Sequence, residues 1–177
     1  MCSIFGSLKT NPSIGLHKYH YANSLMSHRG PDATNYYNDE KVYFGSNRLR
    51  IYDQSIQADQ PMNILGRYII IFNGSIYNFN EIKRDLSFKY KFHTSSDTEV
   101  IGVGYAEYGN EIFEKLNGMW LFSIWDKKEQ ELILSRDRFG EKPLFYTENK
   151  DGFFYSSEMK SLLMFLQNKE INENILK

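Results

Sequence analysis

One cysteine occurs in 177 residues, at position 2, directly behind the initiator methionine. Free cysteine is among the most buried residue types, so the plain reading of Cys2 is a small apolar side chain opening a strand. Its position supports a second reading. Removal of the initiator methionine is expected when the next residue is small, and it would leave a thiol and a free α-amine on one residue. An α-amine of reference pKa roughly 7.7–8.0 lies near neutrality, where a general base works best, and it could take the proton of a thiol of reference pKa ~8.5. The thiolate is then a nucleophile. A retained methionine would cap the amine and block that base.

Other residue types suited to chemistry have plain readings of their own. Arg48 reads on spacing alone as an exposed arginine at a strand end. Asn73-Gly74 follows a run of apolar and aromatic residues and reads as a strand ending in a turn. Asp97 sits at an expected helix start, where an acid stabilises the positive end of the dipole without any ligand. His17 and His20 are three apart on an expected helix, and with no second ligand pair nearby they make no zinc site.

The elements that must position these groups are legible as short runs. Strands are expected at 2–8, 42–53, 68–74, 119–126, 131–137 and 153–157. Helices are expected over 17–26, from Asn78 with Glu81 as a capping box, from Ser96 with Glu99 as another, and over the apolar stretch from Ser157. Many strands with a few helices, and no regular βαβ alternation, argue for α+β with sheets packed on each other and helices outside.

Hydrophobic residues at 41% and charged residues at 24% place the chain among ordinary globular proteins, long enough for one domain. The net charge of -1 and the lack of any basic run exclude a phosphate backbone as partner. The longest apolar stretches, YIIIF at 68–72 and LLMFL at 162–166, fall far short of the ~20 residues that span a bilayer. The N-terminus has no secretory pattern, and a lone cysteine fits a reducing, cytoplasmic setting.

Seven segments in one order, MCSIFG, HRGPD at 28–32, RLRIYD at 48–53, NGSIYN at 73–78, SDTEV at 96–100, RDRFGEKPLFY at 136–146 and SSEMKSLL at 156–163, together resemble the glutaminase domain of asparagine synthetase. That family is a class II glutamine amidotransferase of the N-terminal nucleophile hydrolase superfamily. The resemblance implies a four-layer αββα sandwich of two antiparallel sheets flanked by helices. It also implies hydrolysis of the glutamine side-chain amide through a cysteinyl thioester, with the ammonia supplied to an asparagine synthetase-like amide transfer.

Residue by residue, the resemblance makes Cys2 the nucleophile and its own amine the base. Arg48 becomes the clamp for the glutamine α-carboxylate, a task that suits a planar guanidinium fork. Backbone groups of Ile51 and Tyr52 complete that wall, and their side chains carry little information. The Asn73 amide and the Gly74 N–H become the oxyanion hole, and Asp97 binds the α-ammonium. Ser75 departs from the pattern, since the family usually carries glutamate there to help hold the ammonium. Charge-assisted hydrogen bonds are worth about 1.5–3 kcal/mol, so weaker glutamine capture is expected more than lost chemistry. Arg50 replaces a family serine and has no evident role. His28 is read as structural, and Arg136, Asp137 and Lys160 as interface or packing residues.

The chain is expected to be a single domain, 1–177, with 164–177 a polar tail and no ATP-dependent synthetase domain, because neither an S-G-G-x-D pyrophosphate loop nor a P-loop is found. No cofactor is expected in it, and ATP and Mg2+ would belong to a separate synthetase domain or subunit, the implied partner. A homodimer is left open. Two other readings stand beside the leading one. The first is a catalytically weak amino-acid-binding or regulatory module, and the second is the glutaminase of a sugar-nucleotide or other amidotransferase.

Overall fold

The computed structural model describes residues 2–11, 13–167 and 169. Strands β1 (Ser3–Lys9), β2 (Ala33–Asn38), β3 (Val42–Arg48), β8 (Phe145–Asn149) and β9 (Gly152–Ser156) form one sheet in the order β2-β3-β1-β9-β8. A second sheet has the order β4-β5-β6-β7, from β4 (Met62–Ile64), β5 (Tyr68–Ile76), β6 (Gly118–Asp126) and β7 (Glu131–Arg136). Every pairing is antiparallel. Helix α1 (Leu16–Ser24) covers the first sheet, while α2 (Phe79–Leu86), α3 (Asp97–Tyr108) and the short α4 (Ile112–Lys115) cover the second. This is the expected four-layer sandwich.

The layering follows from period-2 side-chain alternation. Along β5, Ile69 and Ile71 enter the core between the sheets, whereas Ile70 and Phe72 face α2 and α3. On the first sheet, Ile4, Val42, Phe44 and Tyr155 face inward, and Phe5, Tyr43 and Phe154 pack under α1 with Tyr19 and Met26. Strands buried on both faces read as continuous apolar runs, which is why YIIIF carries no alternation in the sequence.

All six expected strands exist, but the second ends at Arg48 instead of 53. Beyond it the chain is held as a loop: the Arg50 N–H donates to Asp32 Oδ2 at 2.9 Å, and the Asp32 N–H to Arg48 O at 3.1 Å. Neither expected capping box forms. Ser96 caps α3 by accepting from the Thr98 N–H, while Glu99 turns back to accept from the N–H groups of His93 and Thr94. Asn78 spends its amide on Lys115 O and the Asn117 N–H. The helix expected from Ser157 shrinks to one 3-10 turn, Met159–Ser161, because Ser157, Ser161, Leu162 and Phe165 are all drawn into the core. Phe165 thus packs against Phe5 and Phe154, although the sequence places it in a polar tail, and 168 and 170–177 lie outside the described residues.

Candidate functional site

Strand β4 is only three residues long and pairs with β5 at Tyr68 to Ile70, so the rest of that edge of β5 is open. In antiparallel pairing, backbone N–H groups alternate between the two edges. The Phe72 N–H on the open edge donates to Gln60 Oε1 at 2.5 Å, and the Ile76 N–H donates to Asp97 Oδ2 at 3.1 Å. By the same alternation the Gly74 N–H lies on this edge, between two donors that are already engaged. The Asn73–Gly74 pair is therefore inside a strand, not at a turn after one. Glycine is required because a Cβ at position 74 would stand 2.2 Å from the carbonyl oxygen of Met119.

A pocket of about 280 Å³ opens at this gap. It gathers Cys2, Arg48, Ile51, Tyr52, Asn73, Gly74, Ser75 and Asp97, every site residue singled out from the sequence. They arrive from the residue just before β1, the end of β3 and the loop after it, the C-terminal half of β5 and the first turn of α3.

Cys2 is partly buried, its Sγ accepting from the Leu49 N–H at 3.4 Å and lying 3.6 Å from Leu49 O. Burial pushes its thiol upward, and the Leu49 N–H acts in the opposite sense. The carbonyl of Cys2 accepts from Arg29 Nε at 3.2 Å, and Arg29 Nη1 donates to Glu158 Oε1 at the same distance. The HRGPD segment thus clamps the residue that carries the thiol, and Arg29 is a contributor that sequence reasoning did not find.

Arg48 is 5% exposed and its guanidinium is already braced. Nη1 donates to Asp59 Oδ1 at 2.6 Å and to Ser55 O at 3.2 Å, and Nη2 donates to Asp53 O at 2.5 Å. Three of its five N–H donors are engaged, which leaves the Nε edge to meet a carboxylate. Arg50, which had no evident role, closes a bidentate pair on the same Asp59 through Nε at 3.0 Å and Nη2 at 2.6 Å. Burial pulls the Asp59 carboxyl up, but the bonds from Arg50 and Arg48 outweigh it and hold the group below its usual range. Asp53 ties the pocket's two rims together: it accepts from the Ser55 N–H on its own loop and from the Ser95 N–H before α3, each at 2.8 Å. Hydrogen bonds from Ser55 first, then Ser95, keep its carboxyl well below the ordinary range.

Asn73 reaches between the sheets, its Nδ2 standing 3.5 Å from Ser157 Oγ, which itself accepts from the Ile4 N–H at 3.1 Å. Ser157 is fully buried and belongs to the SSEMK stretch, for which the sequence suggested no catalytic task. The Tyr52 hydroxyl lies 2.7 Å from Ser75 Oγ, at the position where the resemblance calls for glutamate.

Asp97 is buried and accepts from the Ile76 N–H at 3.1 Å, and among the described residues it forms no salt bridge. Desolvation raises its carboxyl to about 6, against which backbone N–H groups and Arg48 act only in part. The unfolded chain has the ordinary value near 3.8. The carboxylate therefore costs stability above about pH 6, and the cost fades as the pH falls toward 4. Asp97→Asn is expected to raise the melting temperature at pH 8 by roughly 5 °C, equivalent to about 2 kcal/mol, with the difference vanishing near pH 4. Thermal unfolding at the two pH values checks this.

Among the described residues, no group of three or more His, Cys, Asp and Glu side chains is placed to hold a metal ion, and no helix is long and apolar enough to cross a membrane.

The arrangement brings one thiol, amide and backbone N–H donors, a braced guanidinium and a buried carboxylate together around one pocket. Comparison with known proteins places the chain in a family. Asparagine synthetase [glutamine-hydrolyzing] 1 of Bacillus subtilis (strain 168) is 44% identical over 156 residues, 87% of this chain and 24% of the relative. Asparagine synthetase B [glutamine-hydrolyzing] of Escherichia coli (strain K12) is 34% identical over 166 residues, 92% of this chain and 30% of the relative. The chain thus spans about a quarter to a third of the length of these relatives. The glutamine phosphoribosylpyrophosphate amidotransferase of B. subtilis superposes with a TM-score of 0.73 at 22% identity, over 91% of this chain and 43% of the other, which supports the fold. A family model described as a glutamine amidotransferase domain matches residues 1–177, and because that match runs the whole length of the sequence, the chain belongs to this family.

Proposed function

We infer that this domain hydrolyses the side-chain amide of glutamine and that Cys2, exposed as the N-terminal residue once Met1 is removed, is the nucleophile. The observation that carries the reading is the convergence of residues from four separated elements on one pocket around the Cys2 sulfur. The Nε edge of Arg48 takes the α-carboxylate, and Asp97 takes the α-ammonium. The α-amine of Cys2 accepts the thiol proton as sulfur attacks the amide carbon. The oxygen of the tetrahedral intermediate is received by Asn73 Nδ2 and the Gly74 N–H. The amine returns its proton to the leaving nitrogen, ammonia departs, and a thioester remains on Cys2. Water, deprotonated by the same amine, then releases glutamate. No cofactor enters these steps.

The ammonia is passed to an ATP-dependent synthetase domain or subunit of the asparagine synthetase kind, to which ATP and Mg2+ belong. The relatives' names support an asparagine synthetase as the recipient of the ammonia. Ammonia and glutamate release from purified protein tests the reading, and equal absence of both from wild type and the Cys2→Ala variant, with synthetase partners added, would refute it.

The binding-module reading draws on one observation: Ser75 brings no charge and its hydroxyl is engaged with Tyr52. In the hydrolase reading this weakens capture of the ammonium without touching the bond-breaking groups. Ser75→Glu is accordingly expected to lower the KM for glutamine about tenfold with little change in kcat. Steady-state kinetics of the variant check it.

A further inference from the structure

The register of β4 on β5 pairs Ile64 with Tyr68 and Met62 with Ile70. Carried further, the same register would set residue 60 opposite Phe72 and residue 58 opposite Gly74, and the carbonyl of residue 58 would take the Gly74 N–H. The chain departs from that path. Ile56–Ala58 form a 3-10 turn, and Ala58 is fully buried in the core that the second sheet shares with its helices.

Gln60 stands where the ladder ends. Its backbone lies outside β4, but its side-chain amide takes the place of a ladder carbonyl. Oε1 accepts from the Phe72 N–H at 2.5 Å, and Nε2 donates to Thr98 Oγ1 in the first turn of α3 at 3.1 Å. A backbone N–H can only donate, so the amide oxygen must be the atom that faces Phe72. Gln60 is 4% exposed, and a buried amide is stable only where its hydrogen bonds are made. Gln60, Phe72 and Thr98 all line the pocket that contains Cys2. The preceding residue, Asp59, braces Arg48 and Arg50. Two consecutive residues thus fasten the guanidinium on one wall and the strand edge on the other.

We propose that Gln60 is the positioning residue of the oxyanion hole. By closing the ladder at Phe72 with a side chain instead of a backbone carbonyl, it fixes the edge of β5 and leaves the next N–H on that edge, that of Gly74, to an oxyanion. Gln60 moves no proton and acts on the substrate only through Phe72, Asn73 and Gly74. Its effect on rate rests on the glutaminase reading.

The test compares wild type, Gln60→Met and Gln60→Glu. Methionine keeps the unbranched shape and removes the amide. In Gln60→Met the kcat for glutamine falls about tenfold, less than the loss of a donor outright. KM stays within about twofold, because the hole meets charge only in the transition state while Arg48 and Asp97 keep their own bonds. Glutamate offers Phe72 an acceptor oxygen in either protonation state, so Gln60→Glu recovers kcat to within about threefold of wild type. Backbone amide exchange gives a second measurement that needs no catalysis. The Phe72 N–H, protected in wild type and in Gln60→Glu, exchanges about tenfold faster or more in Gln60→Met. An unchanged kcat in Gln60→Met, a loss confined to KM, an equal loss in both variants, or Phe72 protection indifferent to residue 60 overturns the proposal. Should Gln60→Met not fold, Gln60→Leu is judged by the same outcomes. A wild type that releases no ammonia, with Phe72 protection that follows residue 60, would remove the glutaminase reading and leave the ladder end standing; an active wild type whose kcat ignores Gln60→Met would do the reverse.

Discussion

Cys2→Ala is expected to reduce ammonia release from glutamine by about 10⁴-fold or more, to the background of the assay, while leaving the protein folded. The sulfur is the one group for which the pocket holds no substitute: removing a nucleophile from a concerted unit costs about as much as removing the whole unit. The structural cost is small by comparison. Cys2 precedes β1, its Sγ makes one contact pair with the Leu49 backbone, and alanine keeps the Cβ. Glutamine should still bind, because Arg48, Asp97 and the oxyanion donors are untouched. Coupled detection of ammonia, alongside calorimetric titration of the variant with glutamine, separates lost chemistry from lost capture.

The second large effect is expected at the oxyanion hole. Asn73→Ala should lower kcat by ~10²–10³ with KM nearly unchanged, because the charge this amide meets exists only in the transition state. The surroundings limit structural damage. Asn73 is buried, but Ser157 Oγ still accepts from the Ile4 N–H after its other neighbour is gone. A loss confined to KM would place Asn73 among the groups that bind ground-state substrate. Ser157→Ala should lower kcat in the same direction but less, since it only orients the amide.

A pH dependence follows from Asp97. In the unliganded protein its carboxyl lies at about 6, so the fraction able to pair with an ammonium falls as the pH drops through that value. The KM for glutamine should therefore rise below pH 6, and Asp97→Asn should show a KM raised tenfold or more at pH 8 with that acid limb removed.

Much of this architecture was legible because apolar runs and their alternation mark strands whatever they pair with. The strands that went unread, β2, β4 and β8, are edge strands or three residues long. ATNYYN and FYTEN bury few side chains, so burial left no pattern in them. The helix expected from Ser157 failed for the opposite reason: its apolar residues are real core residues, but they pack from an irregular turn. At the site, residue types were informative in that Cys2, Arg48 and Asp97, picked out from separate segments, line the same pocket. The contacts of Arg29, Arg50, Asp59 and Ser157 join positions 9 to 153 residues apart, and no local spacing encodes those. Gly74 shows the limit clearly, since a strand end and a strand with an open edge look the same until β4 is seen to stop short.

The central claim is that the mature protein attacks glutamine with a cysteine whose own amine is unblocked. Intact-mass analysis after incubation with a glutamine analogue bearing an electrophilic side chain tests it most directly. The account predicts a chain lacking Met1 that gains one adduct, mapped to Cys2 by peptide fragmentation. A glutamine-hydrolysing protein that retains Met1, or that takes the label anywhere else, would contradict it.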